Sequence, residues 1–262
     1  MTGPPLNWQV VDDNWVLLPL KPVAVVHFLG GAFVATAPQV TYCRLLESLG
    51  SWGCAVIATP FINTLNHTAI ADRALRSFER TFRSLQTTAP AYRHLPVYGM
   101  GHSLGGKLHL LIGSLFACER PGNILISTNN FSARNAIPLG EQFSGVVEFT
   151  PSPERTLSLV AEAYRVQRNL LIKFTNDDLD QTLAIAEVLR ERLREPPRLR
   201  VLKGSHLTPL GRDVNWQTGS TFTPFDAIGQ WMRQEVYREL QQLERTILLW
   251  LETVVNASLR SG

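Results

Sequence analysis

The sequence predicts an α/β domain: a doubly wound, mostly parallel sheet with helices on both faces. Three observations predict it. Short, uninterrupted apolar runs recur along the chain, as strands buried on both faces require. Amphipathic or apolar helical stretches alternate with them, the pattern of parallel strands joined by crossover helices. One run leads directly into a Gly-x-Ser-x-Gly turn and then an apolar helix.

In chain order, residues 15–20 read as an early edge strand, closed by Pro19 and Pro22. Residues 23–28 form a continuous apolar run, broken by Gly30-Gly31. A helix is expected over 38–49, ended by Gly50, followed by a buried strand over 54–58. Ala71, Leu75, Phe78, Phe82 and Leu85 share one helical face. Residues 95–99 are the next core strand, 104–118 a helix and 123–127 a strand. Strands over 170–175 and 200–203 flank a helix over 181–193. Two segments break this rhythm. Residues 128–168 form a long excursion, with a helix expected over 155–166; its aromatic content predicts an ordered cap insertion over the site. Residues 204–224 form a second long loop, and a helix over 225–255 ends a single domain spanning 1–262.

Composition narrows the function classes. With 45% hydrophobic residues the 262-residue chain can bury a full core. A net charge of +3, without a basic stripe, argues against nucleic acid as a partner. No stretch of about 18 apolar residues predicts a transmembrane span. Residues 1–9 lack the charged start and apolar run of a signal peptide. The three cysteines, Cys43, Cys54 and Cys118, have no metal-ligand spacing and lie in apolar surroundings. They read as reduced core residues of a cytoplasmic protein. No metal and no cofactor is expected.

The chemistry concentrates at Gly101-His102-Ser103-Leu104-Gly105. A serine on a tight strand-to-helix turn is strained and stands clear of the sheet. The residues two before and two after it must be small, and both are glycine. A nucleophilic serine needs a base and a group that orients the base. His206 follows the last strand and a Gly204-Ser205 turn, and is the expected base. Asp177, just past the fifth core strand, is the expected acid, with Asp178 and Asp180 as alternatives. The backbone N–H of Leu104 is one expected oxyanion donor. The other is expected from the loop after residues 23–28, at Gly31 or Ala32. His102, expected to pack beside the serine, is assigned with Phe33 and Phe131 to the substrate pocket.

The ordering of nucleophile, acid and histidine resembles the α/β-hydrolase superfamily from about Val23 onward. A narrower likeness is carried by Val26-His27-Phe28-Leu29-Gly30-Gly31-Ala32-Phe33, Ala58-Thr59-Pro60-Phe61, the serine pentapeptide, Asn129-Asn130-Phe131, Phe149-Thr150-Pro151-Ser152-Pro153, Asn176-Asp177-Asp178-Leu179-Asp180-Gln181 and Ser205-His206-Leu207-Thr208-Pro209. These resemble an uncharacterised "domain of unknown function" family of cyanobacteria and plant plastids. The resemblance implies the α/β-hydrolase fold and a hydrolase-like site, without a substrate. The expected function is a serine hydrolase acting on a small-molecule or lipid-like carboxylic ester or thioester with an apolar part. The rival is a catalytically inert hydrolase-fold protein that binds or assembles. The last helix carries apolar residues around most of its circumference near residues 246–255. The first reading is that the helix packs against the sheet and its neighbours on several sides; the alternative is that Leu249, Trp250 and Val254 lie partly exposed and contact a partner, a second copy of the chain being favoured over a membrane surface.

Overall fold

A computed structural model describes residues 6–132, 148–210 and 236–260. Eight strands form one sheet in the order β1-β2-β4-β3-β5-β6-β7-β8. They are β1 (Gln9–Val11), β2 (Asn14–Leu17), β3 (Ala24–Leu29), β4 (Cys54–Ala58), β5 (Val97–His102), β6 (Gly122–Ile126), β7 (Arg168–Asn176) and β8 (Arg198–Ser205). β1, β2 and β4 pair antiparallel, and all pairs from β4 to β8 are parallel. The strand read at 15–20 is not the edge. It is shorter, and β1 lies outside it.

Side-chain alternation divides each central strand between two cores. Ala24, Val26 and Phe28 of β3 join one cluster, and Val25 and Leu29 join the other. The first cluster is covered by α2 (Cys43–Trp52), which follows the short α1 (Pro38–Thr41), and by the C-terminal helix α7 (Val236–Arg260). The opposite face carries α3 (His67–Thr88) and α4 (Leu104–Leu115), with α5 (Pro153–Ala163) and α6 (Thr182–Arg192) beside them. Every residue of α4 from Leu104 to Ser114 is buried, so the helix behind the serine is held on all sides.

Two expectations are corrected here. The helix read inside the 128–168 excursion is α5, the ordinary β6–β7 crossover. Its Val160 and the following Tyr164 pack with Leu110 of α4 and Leu189 of α6, so it lies on the sheet face and does not roof the serine. Residues 133–147 of the expected cap lie outside the described residues, as do 211–235, including the expected start of the last helix. In α7, Trp250 and Val254 are buried, and Leu249 remains exposed. The Trp250 indole meets Tyr98 edge-on at 6.0 Å and seats against Gly122, where a Cβ would lie 2.7 Å from its Cη2. Trp250→Ala is expected to lower unfolding stability by about 3–5 kcal/mol in urea titration, and Leu249→Glu by less than about 0.5 kcal/mol. Equal effects would contradict this packing. Of the cysteines, only Cys54 is fully buried, and burial pushes its thiol up to about 12. No helix among the described residues is long and apolar enough to cross a membrane.

Candidate active site

Ser103 sits between β5 and α4 with φ 55° and ψ −119°, a left-handed backbone that disfavours any side chain. The close approach of strand to helix imposes it. A Cβ on Gly101 would lie 2.3 Å from the Gly105 carbonyl, and one on Gly105 would lie 2.0 Å from the Leu29 oxygen. The Ser103 N–H donates to the Ile126 carbonyl at 2.9 Å, and the Ser103 carbonyl accepts from Gly106 and Asn129. The turn is thus anchored to β6 and to the loop beyond it.

Asp177 and His206 follow the C-terminal ends of β7 and β8, two strands on the same side of β5. The structure brings them to Ser103. The Ser103 hydroxyl lies 2.9 Å from His206 Nε2, and His206 Nδ1 lies 2.9 Å and 3.1 Å from the two Asp177 oxygens. Asp177 Oδ1 also accepts the Leu179 N–H at 2.9 Å. Burial pushes the Asp177 carboxyl up. Hydrogen bonding and charge from His206, with Ser127 and the Leu179 amide, outweigh it and hold the group below its usual 3.8.

That depression fixes a pH dependence. A carboxyl with a lowered folded pKa adds stability above its unfolded pKa, and the contribution is lost as pH falls through the folded value. Wild-type urea midpoints are therefore expected to fall more steeply below pH 3.8 than those of Asp177→Asn. Parallel acid limbs would contradict the assignment.

The alternative acids lie elsewhere. Asp178 is exposed. Asp180 pairs with Lys173 at 2.9 Å and accepts from the Thr182 amide and hydroxyl at the start of α6. Gly31 is corrected as an oxyanion donor, because its N–H donates to the Tyr42 hydroxyl at 2.9 Å. Leu104 opens α4, where a backbone N–H has no carbonyl one turn earlier to bond. Ala32 is half-buried on the loop after β3, and Phe33 beside it is exposed. Phe131 is half-buried, its N–H donating to the Asn129 side chain. His102 is buried beneath the serine, with Nδ1 2.8 Å from the Tyr42 hydroxyl and Nε2 2.8 Å from the His206 carbonyl.

Three further polar features escape the sequence reading. Tyr42 lies on the apolar face of a predicted helix and reads as core. Lys107 is buried one turn beyond Ser103 and donates to the Pro151 carbonyl at 3.1 Å; burial pulls its ammonium down to about 8. A lone lysine in an apolar helix was the available signal. Arg120 donates to His27 at 2.8 Å and to His109 at 2.9 Å within the α3–α4 layer. Burial, reinforced by the arginine, pulls both imidazoles well below their usual range, so they accept as neutral rings. Histidines inside an apolar strand and an apolar helix were the signal there. Among the described residues no group of His, Cys, Asp and Glu could hold a metal ion.

The fold is that of known α/β-hydrolases. An esterase of Pyrococcus furiosus superposes with a TM-score of 0.61 at 15% identity, covering 95% of this chain and 91% of that one. A fluorophosphonate-binding serine hydrolase of Staphylococcus aureus gives 0.53 at 18% identity, covering 92% and 91%. A thermostable carboxyl esterase of Bacillus coagulans gives 0.58 at 10% identity, covering 92% and 94%. A comparison of the sequence with curated proteins yields no match. The family model for proteins of unknown function numbered DUF1350 matches residues 7–253, and the chain belongs to that family, built on the α/β-hydrolase fold.

Proposed function

We propose that this protein is a serine hydrolase that cleaves a carboxylic ester or thioester with an apolar part. The observation that carries the reading is the continuous set of contacts from Ser103 through His206 to Asp177, on a strained strand-to-helix turn. The esterases and the serine hydrolase among its structural neighbours support the same reaction class.

In this reading Asp177 accepts the Nδ1–H of His206 and leaves Nε2 bare to accept the Ser103 proton. Ser103 Oγ then bonds to the acyl carbon. The developing oxyanion is met by the N–H groups of Leu104 and Ala32, since that of Gly31 is engaged with Tyr42. The imidazolium returns its proton to the departing alkoxide or thiolate, leaving an acyl-serine. Water, deprotonated by the same nitrogen, releases the acid and restores the serine. The apolar part of the substrate is supported by the rim. Loops following β3, β4 and β7 expose Phe33, Ile62, Leu65 and Leu179 to solvent.

The test is a series of p-nitrophenyl esters and acyl thioesters of increasing chain length. kcat/KM is expected to rise severalfold from acetyl to medium-chain substrates, and Ser103→Ala to remove turnover. Turnover that survives in Ser103→Ala would overturn the nucleophile. Rates flat with chain length would overturn the apolar part. An inactive wild type across the series would favour a binding or assembly protein.

A further inference from the structure

Tyr42 and His102 take no part in the chemistry above, yet they lie directly beneath it. The contacts run Gly31 N to Tyr42 Oη at 2.9 Å, Tyr42 Oη to His102 Nδ1 at 2.8 Å, and His102 Nε2 to the His206 carbonyl at 2.8 Å. Their directions are forced. A backbone N–H only donates, and a carbonyl oxygen only accepts. His102 therefore carries its proton on Nε2. Burial, with His206 nearby, holds the ring neutral, so Nδ1 is bare and accepts the Tyr42 O–H. Tyr42 oxygen in turn accepts from Gly31. Every donor points one way, from the loop after β3 to the loop after β8, and no buried polar atom of the two side chains is left without a partner.

We propose that Tyr42 and His102 are positioning residues, a hydrogen-bonded relay that locks the oxyanion loop and the His206 turn to the nucleophile turn. The proposal rests on the hydrolase reading. Two observations set the relay apart from a core tyrosine that merely finds a partner. First, its ends attach to the two loops that must be in register with Ser103. A Cβ on Gly31 would lie 3.4 Å from His102 Nδ1, from Ser103 Cβ and from Tyr42 Oη alike. Second, it closes a ring. His206 reaches Ser103 through its imidazole at 2.9 Å and His102 through its carbonyl at 2.8 Å, two bonds to adjacent residues. The His102 and His206 rings also pack with centroids 4.8 Å apart. His206 cannot leave Ser103 by a shift of its turn without breaking both bonds. Misplacement of a reacting group by about 1 Å can lower a rate about 100-fold, which is the scale of effect the relay guards against.

Substitutions at position 102 separate the two ends. His102→Gln retains an N–H at the reach of Nε2 and can still donate to the His206 carbonyl. His102→Asn keeps a polar atom near Nδ1 for Tyr42 but cannot reach His206. His102→Leu loses both. Ester kcat per active site, counted by fluorophosphonate titration, is the readout, because a loss of folded protein does not move it. His102→Leu and His102→Asn are expected to lower kcat about 100-fold with KM changed less than about threefold. His102→Gln is expected to lie within about tenfold of wild type. Tyr42→Phe keeps the ring in the core and is expected to lose about tenfold in kcat. Equal rates for all three position-102 variants, or unchanged kcat in Tyr42→Phe, would overturn the relay while leaving the hydrolase reading intact. A wild type without turnover would overturn both. A second measurement needs no activity: nitrogen NMR of histidine-labelled wild type is expected to show His102 as the Nε2–H tautomer throughout neutral pH. An Nδ1–H tautomer or an imidazolium there would overturn the relay.

Discussion

Asp177→Asn is expected to lower ester kcat about 10,000-fold with the fold intact. The carboxylate accepts from His206 Nδ1 with both oxygens, at 2.9 Å and 3.1 Å. An asparagine there can turn its N–H₂ toward Nδ1, which moves the imidazole proton to Nε2. That nitrogen then faces Ser103 Oγ with a hydrogen and can no longer take the serine proton. Some rate above water should remain, because the oxyanion donors and binding are untouched. Steady-state kinetics check this, with circular dichroism to show the fold. A loss below about tenfold would mean that Asp177 does not set the tautomer.

The second large effect is structural. Gly105→Ala is expected to lower unfolding stability by about 3 kcal/mol or more and to remove most activity. The added Cβ would meet only backbone: the Leu29 oxygen at 2.0 Å, the Leu29 carbon at 2.6 Å and the Gly30 oxygen at 2.8 Å. No rotamer change can relieve that contact. Either α4 retreats from β3, carrying the Leu104 amide with it, or the loop holding Gly31 and Ala32 moves. Urea unfolding and ester turnover measure the two consequences. A variant within about 1 kcal/mol of wild type would contradict the packing of this turn.

What could be read from the residues, and what could not, follows from the range of each interaction. The central strands declared themselves because a strand buried on both faces is largely apolar, as Cys54–Ala58 is throughout and Ala24–Leu29 is but for His27. Their ends were less visible. β7 and β8 begin at Arg168 and Arg198, where the hydrogen-bond ladder continues through residues with no apolar signal. β1 is three residues long and largely exposed, too short to register as a period. The helix Pro153–Ala163 was visible, but the long connection before it made it look like part of a cap rather than a crossover. At the site, Ser103, Asp177 and His206 each stand just past the end of a strand that the apolar runs mark, and the structure brings those three side chains together. The engagement of the Gly31 N–H was not legible, since its partner is a tyrosine hydroxyl 11 residues away, at the turn between α1 and α2. The role of His102 was missed for the same reason: its partners lie 60 and 104 residues away.

In the proposed hydrolase, Ser103 is an activated nucleophile. Incubation with a fluorophosphonate, followed by intact-mass measurement and peptide mapping, tests it most directly. One phosphonyl group per chain is expected on Ser103, none in Ser103→Ala, and slower labelling in Asp177→Asn and His206→Ala. An unlabelled wild type, or label on a different residue that persists in Ser103→Ala, would contradict it.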